Sequence, residues 1–199
     1  MWEFERDAVH NGFHIVCGCD EAGAGPLAGP VYAAAVVLPF GIEIPGLNDS
    51  KKLTEKKREA LFPVIQQLAL GYGIASVDEK EIDETDILSA RMKAMQLAID
   101  ALPETADFAL IDGNRDRGKT SVISTCHRCI VKGDNLSASI AAASVLAKVS
   151  RDRFMKEQAR LYPEYQFEKH KGYGTKLHYD LLRLHGPSPI HRKTFLKNL

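Results

Sequence analysis

The apolar run from Phe13 to Cys19 ends on two adjacent carboxylates, Asp20 and Glu21, and then on the small-residue segment Ala22-Gly23-Ala24-Gly25. A run of this kind bounded by a glycine turn reads as a buried strand. A strand holds carboxylates rigidly, and a turn with little side-chain bulk lets backbone amides approach a ligand closely. The next apolar run, Pro30 to Leu38, reads as a second strand buried on both faces.

Pro39 to Gly46 reads as a loop, and Asp49 or Thr54 as the cap of a helix running to about Leu70, interrupted by Pro63. Gly71 to Val77 is a third strand. Asp83 to Asp86 opens a helix with Leu88, Met92, Met95, Ile99 and Leu102 on one face, and Pro103 stops it. Phe108 to Ile111 is a short strand ending at Asp112, and Val122 to Val131 another ending at Gly133-Asp134. Asn135 or Ser137 caps a long helix from Ser139 to about Leu161. Its small residues Ala138, Ala141, Ala142, Ala143 and Ala147 suit close packing on a sheet. Beyond Pro163 the pattern is loop, then a helix near Lys176 to Leu184. Strands first, then alternation, predict an α/β layered fold with a mixed sheet. The expectation is a single domain over residues 1–199, with about 163–199 as a C-terminal extension packed on it.

The 199 residues are 45% apolar and 26% charged, ordinary for a globular chain. No apolar run approaches the roughly 20 residues of a membrane span, and the acidic N-terminal residues do not resemble a signal peptide. A cytoplasmic monomer is expected. Net charge is zero, so only local charge speaks for nucleic acid. Lys51, Lys52, Lys56, Lys57 and Arg58 form one basic cluster. Lys169, Lys171, Lys176, Arg183, Arg192, Lys193 and Lys197 form another. Both suit a phosphate backbone or a solvated surface. Cys17, Cys19, Cys126 and Cys129 invite a zinc reading. Cys126 and Cys129 would point to opposite faces of one strand, so reduced thiols filling sheet positions is the better account.

Three strands each end or pass at an acid: Asp20-Glu21, Asp112 and Asp134. Carboxylates gathered at one sheet edge repel each other, a poor structural device and a good divalent-metal site. Hard oxygen ligands favour Mg²⁺ or Mn²⁺. Two such ions stabilise the attacking and leaving oxygens of a phosphodiester. The alternative is that each acid is a turn or cap residue, with Asp134 the strongest candidate for that role.

At these residues the chain resembles the type 2 ribonuclease H family, bacterial ribonuclease HII in particular. The resemblance rests on Gly18-Cys19-Asp20-Glu21-Ala22-Gly23-Ala24-Gly25-Pro26-Leu27-Ala28-Gly29-Pro30, Asp49-Ser50-Lys51-Lys52-Leu53, Asp112-Gly113-Asn114 and Lys132-Gly133-Asp134. It continues through Ser139 to Ser144, Ala147-Lys148-Val149, Arg151-Asp152 and His170-Lys171-Gly172-Tyr173-Gly174-Thr175. It implies an RNase H-like mixed sheet flanked by helices with a helical C-terminal part. The implied activity is cleavage of the RNA strand of RNA–DNA hybrids and incision 5′ to single ribonucleotides embedded in duplex DNA. The implied catalytic and metal-binding residues are Asp20, Glu21, Asp112 and Asp134, with two Mn²⁺ or Mg²⁺ ions.

The resemblance also implies a ribose-reading turn at Gly23, Ala24 and Gly25, acting with Tyr173 on the 2′-OH, the one local difference between RNA and DNA. Lys51 and Lys52 match a basic turn that holds phosphates. Lys148 and Arg151, three apart on one helix face, face either the same groove or solvent. Ser50 and Ser139 are weaker candidates, and His170 and His191 read as structural. One position departs: the family has arginine where this chain has Ala24. The expectation is impaired substrate binding or junction selectivity with the hydrolytic chemistry intact.

Two other function classes remain in view. Gly113-Asn114-Arg115-Asp116-Arg117-Gly118-Lys119-Thr120 satisfies the P-loop pattern of nucleotide hydrolases. Ser121 to Thr125 then favours extended chain where a P-loop needs a helix. A nucleic-acid binder without catalysis would keep the basic clusters, but it gains nothing from four acids facing a polyanion.

Overall fold

A computed structural model describes residues 1–48 and 50–197; Asp49, one of the two expected caps, and the final residues Asn198 and Leu199 lie outside that range. Strands β1 (Val16–Ala22), β2 (Val31–Val37), β3 (Gly71–Val77), β4 (Phe108–Asp112) and β5 (His127–Ile130) form one mixed sheet. Its order is β3-β2-β1-β4-β5. β1 and β2 pair antiparallel, as do β2 and β3, while β1–β4 and β4–β5 are parallel. The mixed α/β architecture expected from the alternation is therefore the one the chain adopts.

Helices cover both faces. α4 (Ile87–Asp100) packs Met92, Met95, Ala98 and Ile99 onto one face, against Cys17, Cys19, Ala33 and Ala35. α2 (Glu55–Leu68) and α5 (Ala138–Leu161) cover the other, with Leu61, Ile65, Ala142, Ala143 and Leu146 against Ala34 and Val36. The period-two alternation of β2 thus feeds two cores, which is why the run from Pro30 to Leu38 is apolar throughout. α5 lies very close to β1. A Cβ on Gly18 would stand 2.2 Å from the Ile140 nitrogen, so only glycine admits the helix there.

The boundaries shift in informative ways. β1 starts at Val16 and runs on through Asp20 and Glu21, so both acids are strand residues. α2 is capped by the Thr54 side chain, which accepts from Lys57 N, and it continues through Pro63. The stretch expected to open at Asp83 is two helices: α3 (Glu79–Glu84), capped by Asp78, and α4, capped by Asp86. The strand expected over Val122 to Val131 is cut to its last residues, because Ser124 N and Thr125 N donate to the Gln96 side chain of α4 rather than to a ladder.

α1 (Glu3–His10) is an element the sequence pattern does not announce, and it fixes the start of α5. Ser137, not Asn135, caps α5 by accepting from Ile140 N at 3.1 Å. The Glu5 carboxylate is buried beside this cap. Its Oε1 accepts from Ser137 Oγ at 2.6 Å and from Ser139 N at 3.1 Å. Negative charge at a helix N-terminus complements its dipole. Past α5, α6 (Phe167–His170) and α7 (Lys176–His185) form the C-terminal part around a separate small core of Ala28, Met155, Tyr165, Phe167, Leu182 and Ile190.

Candidate active site

Parallel pairing of β1 and β4 aligns Cys19 with Ile111, which sets Asp20 and Asp112 side by side one residue further on. β5 then exits through Lys132, in the left-handed region at φ 57°, into a short 3₁₀ turn, Gly133–Asn135. That turn brings Gly133 N onto Asp112 Oδ1 at 2.7 Å and carries Asp134 beside it. Ligand oxygens of Asp20, Asp112 and Asp134 all lie within 4.8 Å of one another. Asp134 is accordingly not the cap of α5.

This cluster carries little compensating charge. Burial pushes the Asp20 carboxyl well above the usual carboxylate range, and the neighbouring Glu21 and Asp112 add to it. Asp112 is raised too, by burial first and by Asp134 next. Lys51 Nζ approaches Asp134 Oδ2 at 3.4 Å from a largely exposed position, where screening is strong. Glu21 stands outside the tight aspartate cluster: its Oε1 pairs with Arg91 Nη2 at 2.7 Å, while its Oε2 is buried without a hydrogen-bond partner. Three hard oxygens at this spacing beside an unpartnered carboxylate oxygen fit a divalent cation of the Mg²⁺ or Mn²⁺ type. Arg91, on α4, is a site residue that sequence reasoning misses, since nothing in its local pattern marks it.

The glycine turn after β1 is held by two buried arginines. Arg192 donates from Nη2 to Gly23 O at 2.6 Å and from Nη1 to Ala24 O at 3.1 Å. Its Nε and Nη2 reach Gly29 O at 2.9 and 2.7 Å. Arg151 donates to Pro30 O, Ala28 O and Lys171 O at 3.0–3.1 Å. Both guanidiniums are fully buried. Arg151 therefore cannot meet a phosphate groove, and Arg192 leaves the basic surface to which charge counting assigns it. Neither is legible as a turn-holder, because the partners are backbone carbonyls more than a hundred residues away for all but Lys171.

Arg151 also ties the Tyr173 loop to the segment that follows the turn. Leu27 N donates to Gly172 O at 2.8 Å, and Arg151 bonds Ala28 O and Lys171 O at once. Tyr173 itself is 41% exposed. Lys148 Nζ and Arg151 Cζ stand 5.6 and 5.7 Å from its ring centroid, within cation–π range. Lys148 is also paired with Asp152 at 2.7 Å.

Behind the loop, His170, His178 and His191 are buried together. His178 bonds the Tyr173 carbonyl through Nδ1 at 2.9 Å and His191 through Nε2 at 2.9 Å, and Ser188 closes the chain on His191 Nδ1. The Tyr173 carbonyl can only accept, so these contacts need just one proton per ring. Burial holds His178 and His191 down to about 4. His170 and His191 thus sit in a neutral structural network.

Lys51, Lys52, Asp112, Lys132, Asp134 and Asn135 line an open cleft. Lys52 bonds Asn135 across it, and Lys132 joins Lys51 and Lys52 as a further cation. Ser50 and Ser139 are buried: Ser50 Oγ bonds Ser144 Oγ at 2.6 Å, and Ser139 N serves the Glu5 carboxylate. Cys17 and Cys19 lie in the core, while Cys126 is exposed and precedes β5. The P-loop pattern lacks its context. No helix follows Thr120, and Lys119 N and Thr120 N are spent on Ser89 Oγ.

A family model described as Ribonuclease HII matches residues 17–198. The ribonuclease HII of Ruminiclostridium cellulolyticum is 54% identical over 198 residues, covering 100% of this chain and 76% of that protein. Among solved structures, the ribonuclease H2 from Pyrococcus horikoshii OT3 superposes with a TM-score of 0.73 at 26% identity, over 91% of this chain and 93% of the other. A Bst-RNase HIII solved in complex with Mn²⁺ gives a TM-score of 0.61 at 17% identity, over 89% and 72%, a likeness of fold. No helix among the described residues is long and apolar enough to cross a membrane.

Proposed function

Since this chain belongs to the ribonuclease HII family, and is thereby an enzyme of ribonuclease H type, we propose that it is a metal-dependent endoribonuclease. Its substrates are RNA–DNA hybrids and duplex DNA carrying single embedded ribonucleotides, incised 5′ to the ribonucleotide. The observation that carries this reading is the buried set Asp20, Asp112 and Asp134, with ligand oxygens within 4.8 Å of one another. So much negative charge beside a polyanion has one chemical use, to hold cations between them.

Asp20, Glu21, Asp112 and Asp134 would hold the two Mg²⁺ or Mn²⁺ ions. When bound, such ions act as Lewis acids on the attacking and leaving oxygens of an in-line displacement. Water adds to phosphorus, the bond from phosphorus to the 3′ oxygen breaks, and 3′-OH and 5′-phosphate ends result. Arg91 orients Glu21 through their 2.7 Å ion pair. Lys51, Lys52 and Lys132 bind backbone phosphates along the cleft. The amides of Gly23, Ala24 and Gly25 read the 2′-OH, and Tyr173 stacks on the adjoining sugar. Lys148 steadies that ring, and Arg151 acts behind it as a positioning residue. The enzyme works as a cytoplasmic monomer.

Ala24 then has a defined consequence. The turn is shaped by Arg192 and Arg151 through backbone carbonyls, so a missing side chain at position 24 does not unmake it. What is lost is one charge-assisted contact to the substrate, worth about 1.5–3 kcal/mol or about one to two orders of magnitude. The test sets a duplex with one embedded ribonucleotide beside an RNA–DNA hybrid, in Mg²⁺, Mn²⁺ and EDTA, for the parent and Ala24→Arg. Incision in metal and none in EDTA supports the assignment, and duplex binding without incision in any metal rejects it. Unchanged cleavage by Ala24→Arg rejects the Ala24 reading alone.

A further inference from the structure

Asp116, His127 and Cys129 converge away from the carboxylate centre, where the loop of residues 113–126 folds against the edge strand β5. His127 and Cys129 alternate along the strand and so share a face. Asp116 arrives from the loop, with Oδ2 2.9 Å from His127 Nε2. One ligand atom from each of the three residues lies within 4.8 Å of the other two, and all three side chains are half-buried. The loop is pinned in place. Lys119 N and Thr120 N donate to Ser89 Oγ, Ser124 N donates to Gln96 Oε1, and Ile123 is buried in the core.

Proton bookkeeping at His127 sharpens the geometry. Nδ1 lies 2.7 Å from the Thr125 carbonyl, which can only accept, so Nδ1 carries the hydrogen. A neutral ring then turns the lone pair of Nε2 onto the Asp116 carboxylate. Two lone pairs at 2.9 Å need a cation to share, a second proton or a metal ion. The Cys129 sulfur selects between them, because a thiol adds nothing to a protonated His–Asp pair but completes a soft ligand set. Histidine whose second nitrogen donates to a backbone carbonyl is the usual arrangement of a metal-bound ring.

We propose that Asp116, His127 and Cys129 form a second metal site, for a borderline-soft divalent cation of the zinc class, with water in the fourth position. The nitrogen and sulfur donors set it apart from the all-oxygen centre, which suits hard ions. Binding displaces the Cys129 thiol proton to solvent as the metal–sulfur bond forms. The bound cation clips the loop that leaves β4 after Asp112 to the strand that leads into Asp134. The site is independent of the activity proposed above and survives if that activity is wrong.

The test titrates the full chain with Co²⁺, as a spectroscopic stand-in for zinc, in excess Mg²⁺ to keep the carboxylates occupied. One equivalent should produce a thiolate-to-cobalt charge-transfer band. It should disappear in Cys129→Ser and His127→Ala and persist in Cys126→Ala. Zn²⁺ should raise the melting temperature of the parent but not of Cys129→Ser, whose circular dichroism confirms that it folds. Absence of the band in the parent, its survival in Cys129→Ser or its loss in Cys126→Ala overturns the site.

Discussion

Gly23 and Gly25 flank Ala24 symmetrically in sequence, yet the structure gives them opposite tolerances. Gly23 sits at φ +102°, and a Cβ there would stand 2.1 Å from Arg151 Nε and 2.4 Å from its Cδ. A methyl group on Gly25 would meet no atom within 4 Å, and the backbone there needs no positive φ. Gly23→Ala incurs backbone strain of about 1–3 kcal/mol and overpacking of about 1–3 kcal/mol. The overlap has no easy relief, because Arg151 is fully buried and held by three carbonyls. A total of about 4 kcal/mol corresponds to a melting temperature lower by about 8–16 °C in a chain of this size. Gly25→Ala removes unfolded-state freedom instead, and leaves stability unchanged or raised by about 0.4–1 kcal/mol. If the turn reads the 2′-OH as proposed, Gly25→Ala should act on the substrate side and raise KM for the embedded-ribonucleotide duplex. Thermal melts of the two variants beside the parent, with KM on that duplex, decide the matter. Equal melting shifts in both, or Gly23→Ala within about 2 °C of the parent, would refute this account of the turn.

Asp112→Asn relieves part of the repulsion that raises Asp20, so its metal-free melting temperature should rise while the stabilisation by Mg²⁺ or Mn²⁺ shrinks; equal metal-induced shifts in variant and parent count against a shared centre. His178 and His191 titrate near 4 in the fold against about 6.5 in the unfolded chain, so their contribution is complete above about pH 6.5 and is lost as pH falls toward 4. Each ring contributes up to about 3 kcal/mol. Urea midpoints should therefore drop between pH 7 and pH 5, measured in saturating Mg²⁺ to hold the carboxylate centre constant, and a flat profile would contradict the neutral network. Lys51→Ala should weaken duplex binding similarly across sequences and reduce the log–log salt slope by about one. An unaltered slope removes Lys51 from the phosphate contacts.

Much of the fold and site is legible in the sequence because local pattern and tertiary role coincide. The run ending at Asp20 is apolar because β1 is buried, and the acids follow directly on the same strand. The alanines of α5 announce the close approach that Gly18 completes. Legibility fails where a side chain serves a distant backbone. Arg151 and Arg192 look like surface cations, and only the fold shows that they are spent on backbone carbonyls, Arg192 on Gly23, Ala24 and Gly29 and Arg151 on Ala28, Pro30 and Lys171. Ser121 to Thr125 have strand propensity, but Gln96 on α4 takes the amides of Ser124 and Thr125. Spacing along the chain sets Cys129 against Cys126, three residues away, when its neighbours in space are His127 and Asp116.

The Glu5 clamp has a consequence for the order of events during synthesis. Glu5 is made 132 residues before Ser137, the first of the two groups it holds. At about 5–20 residues per second, α1 waits of the order of ten seconds for its partner to emerge. Until then it has only the apolar residues of β1 and β4, such as Val16 and Leu110, to pack on, and the segment that presents Asp134 cannot be fastened at its far end. A nascent chain therefore carries Asp20, and later Asp112 beside it on the paired strands, without Asp134 for most of its elongation. The clamp makes assembly of the carboxylate centre a late, long-range closure rather than a property that accumulates as the strands are made.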